Sequence, residues 1–141
     1  MKTTDFAKYL SDFMTIYLIN ERGFSNNTIK AYRDAFVQLI SYMETYKKLS
    51  INKLTLADIT KENVVAFLDW IEIERHCSVS TRNGRLAAIH SFIKYVQRVH
   101  PDNLYEFQRV LAIKSKKHNM AKINYLTIEG IKLLLEMPDK S

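Results

Sequence analysis

Apolar residues recur every three to four positions along most of this chain, the spacing of helices that bury one face. Phe6, Tyr9, Leu10, Phe13, Ile16, Tyr17 and Leu18 follow that rule. They predict a first helix from about Thr4 to Arg22, capped by Thr3 or Thr4 and ended by Gly23. A second helix is predicted from Ser25-Asn26-Asn27-Thr28 to Lys47, roughly 30 Å at 1.5 Å per residue. Ile29, Tyr32, Phe36, Leu39, Ile40 and Met43 mark its apolar face, and Asn27, Lys30, Arg33, Asp34, Gln38 and Ser41 lie away from it. Residues 49–59 read as a connector anchored by Leu54, Leu56 and Ile59. Thr60 caps a third helix, Lys61 to about His76, with Val64, Val65, Phe67, Leu68, Trp70, Ile71 and Ile73 as core candidates. A fourth opens at Ser78-Val79-Ser80-Thr81 and buries Leu86, Ile89, Phe92, Ile93, Val96 and Val99 before Pro101. A shorter fifth, Leu104 to about Ile113, carries Leu104, Phe107, Val110 and Leu111.

The stretch Lys114-Ser115-Lys116-Lys117-His118-Asn119 is basic and has no periodicity, the signature of an extended linker. Beyond it, Thr127 caps a last apolar helix containing Ile131, Leu133, Leu134 and Leu135. Three Gly and two Pro in 141 residues leave too few turns for a sandwich or barrel. The expected fold is all-α: a helical bundle over residues 1–113, a basic linker over 114–124, and one additional C-terminal helix that begins a second domain over 125–141.

Charge adds a direction. The net charge of +6 favours polyanionic partners, and it is sorted along the chain. Arg75 to Pro101 holds five Arg or Lys and no carboxylate, and Lys114 to Lys122 holds four Lys and none. Asp58 to Glu74 holds five carboxylates and one Lys. One cysteine, Cys77, excludes an internal disulfide, and the four histidines are scattered, so neither a metal nor another cofactor is expected. No signal peptide or membrane-length apolar run is present, which points to the cytoplasm and to no membrane partner.

Three basic segments are candidates for binding. The start of the second helix presents free N–H groups to an anion, with Asn27, Thr28, Lys30 and Arg33 extending that surface; simple capping beside a solvated face is the other reading. The start of the fourth gathers Ser80, Thr81, Arg82, Asn83 and Arg85 within six residues around Gly84, hydroxyls, amide and guanidinium groups suited to phosphate and to base edges. Lys94 and Arg98 continue that side more weakly. Lys114, Lys116 and Lys117 either track phosphates or solvate a hinge. No Gly-rich phosphate loop or Gly-x-Ser-x-Gly elbow occurs, and the Glu72/Glu74 pair reads as a solvated face.

The order of these pieces resembles the tyrosine recombinase (phage integrase) family, of the Xer or mobile-element type. The likeness rests on Ser25-Asn26-Asn27-Thr28-Ile29-Lys30-Ala31-Tyr32-Arg33-Asp34, on the run from Ser80 to Tyr95, and on Tyr125-Leu126-Thr127-Ile128-Glu129-Gly130-Ile131. It implies a SAM-like core-binding bundle of four to five helices, whose second and fourth helices face the major groove of duplex DNA. Carried over by position, the implied contacts are Asn27, Thr28, Lys30, Arg33, Ser80, Thr81, Arg82, Asn83, Arg85, His90 and Lys94. The family's catalytic Arg, Lys, His and Tyr set would lie downstream of Ser141, and no His-x-x-Arg occurs in the chain. The expectation is sequence-specific or semi-specific binding of double-stranded DNA by the non-catalytic half of an integrase. Other recombinase protomers are further partners, and no small-molecule substrate is expected. The competing expectation is a helical protein-interaction or oligomerisation module that ignores DNA, based on the aromatic first helix and the isolated last one. The two part on a double variant: Arg82→Glu with Arg85→Glu should abolish DNA binding and leave helicity intact.

Overall fold

A computed structural model describes residues 3–21 and 23–117, and every regular element among them is helical. Helix α1 spans Asp5–Asp12 and continues without a break into a π-helical stretch, Phe13–Glu21. Helices α2 (Asn26–Lys47), α3 (Lys61–Ile73), α4 (Val79–Val99) and α5 (Leu104–Leu111) follow, with 3-10 turns at Leu56–Asp58 and Pro101–Asn103. The linker residues past 117 and the expected C-terminal helix lie outside the described residues.

The starts fall where hydroxyl caps stand. Thr4, Ser25, Thr60 and Ser78 each accept a hydrogen bond from the amide three residues on, satisfying one of the free donors of a first turn. The ends are set by left-handed or irregular residues: Lys48 at φ 61° closes α2, and Gly23 at φ 60° turns the chain out of the π stretch.

The π stretch is the main departure from the periodic reading. Hydrogen bonds from i to i+5 widen each turn. Phe13 and Leu18, five apart, are both fully buried, while Ile16, placed on the apolar stripe by a 3.6-residue period, is half exposed. Three other expected core residues are also exposed, Ile73, Val99 and Leu104. Ile73 and Val99 are the last residues of their helices and Leu104 the first of α5, positions that a neighbouring turn covers on one side only.

Two aromatic clusters hold the bundle. Phe13 stands at the centre of one, its ring centroid 5.4 Å from Phe92, 5.6 Å from Tyr95, 5.7 Å from Tyr17, 6.2 Å from Phe36 and 6.3 Å from Tyr32. This cluster joins the π stretch to α2 and α4. The other joins the end of α2 to α3, through Tyr42, Phe67 and Trp70, with the Trp70 indole N–H donating to the Tyr46 hydroxyl at 3.1 Å. Ala35 of α2 and Ala88 of α4 are both fully buried, small residues that suit close approach of two backbones. The connector anchors Leu54, Leu56 and Ile59 are buried as the pattern predicts. Polar staples finish the assembly: Asp5 Oδ1 accepts from the Leu56 amide at 2.9 Å, and Glu106 of α5 accepts from the Lys61 amide at 2.8 Å, capping α3 from another helix. Arg109 of α5 pairs with both Glu106 and Glu62, and its hydrogen bond holds the Glu62 carboxyl below its ordinary range.

A candidate nucleic-acid interface

The first turn of α2 holds no carboxylate, and neither does that of α4. In α2, the Thr28 amide donates to Ser25 Oγ at 3.2 Å, which consumes one first-turn donor. Asn27, Lys30 and Arg33 are exposed, and so is Asp34, the first carboxylate of the helix. In α4, the Thr81 amide donates to Ser78 Oγ at 3.1 Å, and Ser80 is exposed. Lys94 is exposed about 14 Å farther along α4 than Arg85, at 1.5 Å per residue.

Arg85 joins the two helices. Its Nε donates to Gln38 Oε1 of α2 at 2.8 Å, and its Nη1 donates to the Ala31 carbonyl at 3.5 Å. A single guanidinium thus ties the second turn of α4 to α2 and sets the two basic helices edge to edge. Gln38, assigned by periodicity to the outward face, is half-buried and belongs to this joint.

Two residues predicted to contact DNA turn inward. The Arg82 residue is only 5% exposed. Its Nη1 donates to Asn83 Oδ1 at 3.2 Å and to the Lys114 carbonyl at 3.4 Å, and its Nε faces Glu72 Oε1 of α3 at 3.8 Å. The start of α4 is therefore not unopposed by negative charge: Glu72 reaches it from the neighbouring helix, and also pairs with Lys116 Nζ at 2.8 Å. Glu72 is a bridging group rather than part of a merely solvated face. The burial of Arg82 corrects the expectation that it offers a free fork to phosphate. It has a sequence signal, since positions 82, 86, 89, 93 and 96 form one stripe with alternating spacings of four and three.

His90 also faces the interior. Its Nε2–H donates to the Val110 carbonyl of α5 at 2.9 Å, which places the ring between α4 and α5. Burial pushes its pKa down, the Val110 carbonyl opposes that, and Lys94 adds a smaller downward push. A depressed folded-state pKa means that the unfolded chain binds the proton first. His90 thus contributes stability above about pH 6.5, the ordinary value, which is lost as pH falls toward the folded pKa. The urea midpoint is expected to fall between about pH 7.5 and 5.5, and by less in His90→Gln. An identical pH dependence in the two proteins would remove His90 from this account.

The linker lysines meet the same region. Lys114, Lys116 and Lys117 are exposed, and the backbone at 114–117 runs beside the first turns of α4. Among the described residues no cluster of His, Cys, Asp or Glu can hold a metal ion, and no helix is long and apolar enough to cross a membrane.

Among the described residues the chain is a bundle of five α-helices with no strand. Residues 10–100 match the family described as phage integrase, N-terminal SAM-like domain, and the chain belongs to that family. Two Sinorhizobium fredii proteins named "Putative integrase/recombinase", y4rC and y4rD, are 38% and 32% identical to it, over 99% and 94% of this chain and 42% and 47% of their own length. Tyrosine recombinase XerC of Herpetosiphon aurantiacus is 29% identical over 86% of this chain and 37% of its own. The chain thus spans less than half the length of these relatives. No solved structure matches it.

Proposed function

We propose that this chain binds duplex DNA as the core-binding half of a site-specific tyrosine recombinase, in the cytoplasm, with strand cleavage and rejoining carried by residues outside positions 1–141. The observation that carries the reading is the Arg85 joint, which sets α2 beside α4, two helices whose own first turns hold no carboxylate. Lys30, Arg33, Lys94, Lys114 and Lys117 are exposed around them. Asn27, Thr28, Ser80 and Thr81 supply hydroxyl, amide and backbone groups for positioning on phosphate and for base edges. Arg82, Asn83, Arg85 and His90 drop out as direct contacts, since each is engaged within the bundle.

Five exposed cations imply ~5 neutralised phosphates, so log K should fall against log salt with a slope of about −4.5. Fluorescence anisotropy with a labelled duplex of about 30 base pairs would measure it. Lys30→Gln with Arg33→Gln removes two of the five and should flatten the slope to about −2.7, while the circular dichroism spectrum stays unchanged. Affinity indifferent to salt, or a slope untouched by the double substitution, would move the interface elsewhere.

A second reading has its own observation. Leu104 and Tyr105 are 49% and 79% exposed at the start of α5, and Ile16 and Ile19 are half exposed on the π stretch. Such residues suit contact with another protomer, and that role is compatible with DNA binding. A protein-only module would self-associate in light scattering and show no response to duplex.

A further inference from the structure

The basic segment after α5 is not a free tail where it leaves the bundle. Ile113 is buried at the end of α5, and the next residues cross the first turns of α4. The Asn83 side-chain amide grips the Lys116 backbone on both sides: the Lys116 amide donates to Asn83 Oδ1 at 2.9 Å, and Asn83 Nδ2 donates to the Lys116 carbonyl at 2.8 Å. Arg82 Nη1 reaches the Lys114 carbonyl two residues earlier. Glu72 of α3 accepts from Lys116 Nζ at 2.8 Å and faces Arg82. Three side chains from two helices thus hold one short strap by its backbone as well as by its charge.

We infer that residues 114–117 form a latched strap, and that Asn83 is the positioning residue that fixes where and in which direction the chain leaves the bundle. A side-chain amide can offer an acceptor and a donor to the N–H and C=O of one residue, mimicking a strand partner; a carboxylate or an alanine cannot do both. Glu72 restrains the strap differently, by charge, and a neutral glutamine at 72 would keep an acceptor while losing the ion pair. The strap holds Lys114 and Lys117 beside the start of α4 before any ligand arrives. The latch is a property of the free protein and stands apart from the DNA-binding reading.

The test is amide hydrogen exchange, followed by NMR in the 141-residue protein without DNA. The Lys116 amide should exchange about tenfold faster in Asn83→Ala than in wild type, the scale of one lost hydrogen bond. The Ile89 amide, deep in α4, should remain unchanged and report an intact bundle. Asn83→Asp keeps the acceptor that receives the Lys116 amide but turns a carboxylate oxygen toward the Lys116 carbonyl, so its Lys116 exchange should fall between those of wild type and Asn83→Ala, an order that a purely helix-stabilising role for Asn83 does not predict. Equal Lys116 exchange in wild type and Asn83→Ala, with Ile89 protected in both, would overturn the latch.

Discussion

Arg82→Glu should lower the free energy of unfolding by about 3–5 kcal/mol, the scale seen when one member of a buried ion pair is lost. Arg82 is buried, and the substitution would set a second carboxylate against Glu72, from a position where Arg82 Nε stands 3.8 Å from it. The new carboxylate would stand at a position closed to solvent, whereas Glu72 is 21% exposed. Arg82→Met is the informative control, because it keeps an apolar stem of similar length and removes the charge. It frees the Lys114 carbonyl, but Glu72 is 21% exposed and keeps Lys116 as a partner, so its cost should be smaller than that of a second carboxylate. Urea unfolding of the two variants would decide: equal midpoints for Arg82→Glu and wild type would contradict the buried pair. The same argument disqualifies Arg82→Glu with Arg85→Glu as a clean test of DNA binding, since a loss of affinity would follow from unfolding alone. The exposed pair Lys30 and Arg33 provides the cleaner substitution.

The second large effect lies in the aromatic cluster. Phe13→Ala should destabilise the protein by about 3–5 kcal/mol, the range for a fully buried phenylalanine. Phe13 is 0% exposed and packs against rings of two other helices, α2 and α4, so its removal opens a void that no single neighbour can fill. The rings of Phe36 and Phe92, 5.4 Å apart in an edge-to-face pair, hold each other in place and limit collapse into the space. Calorimetry should show a single lowered transition, and a loss under about 1 kcal/mol would mean that the cluster repacks freely. Ile16→Ala, one turn on and half exposed, should by contrast cost little.

Much of this architecture is written locally. Ser25, Thr60 and Ser78 mark helix starts because a hydroxyl before an apolar run has one favoured use, and the structure places caps at all three. The π stretch has no such marker. Its residues, Phe13–Glu21, satisfy a helical period well enough to hide the wider turns, and only tertiary packing of Phe13 and Leu18 separates the two. On α4 the residue types were legible but not their orientation. Polar residues on α4 look alike in sequence, yet Arg82 and His90 face inward while Ser80 and Lys94 face out. For Arg82 the stripe through Leu86 and Ile89 carried the information, outweighed by the usual cost of burying a guanidinium. That cost is offset by Glu72, ten residues away on another helix, and by the Lys114 carbonyl, neither visible to a local reading. Gln38 is the reverse case, a polar residue on an outward stripe that tertiary contact recruits as the acceptor for Arg85.

Because Arg85 spends its Nε and Nη1 hydrogen bonds on α2, the gap between the two basic helices is a fixed length of the folded protein rather than an outcome of docking. A rod-shaped polyanion would meet a gauge already cut to size. On the proposed DNA-binding reading, ordering that would otherwise weaken association is completed when the chain folds, and a partner whose charged rows are spaced differently would be disfavoured by geometry before any individual contact is weighed.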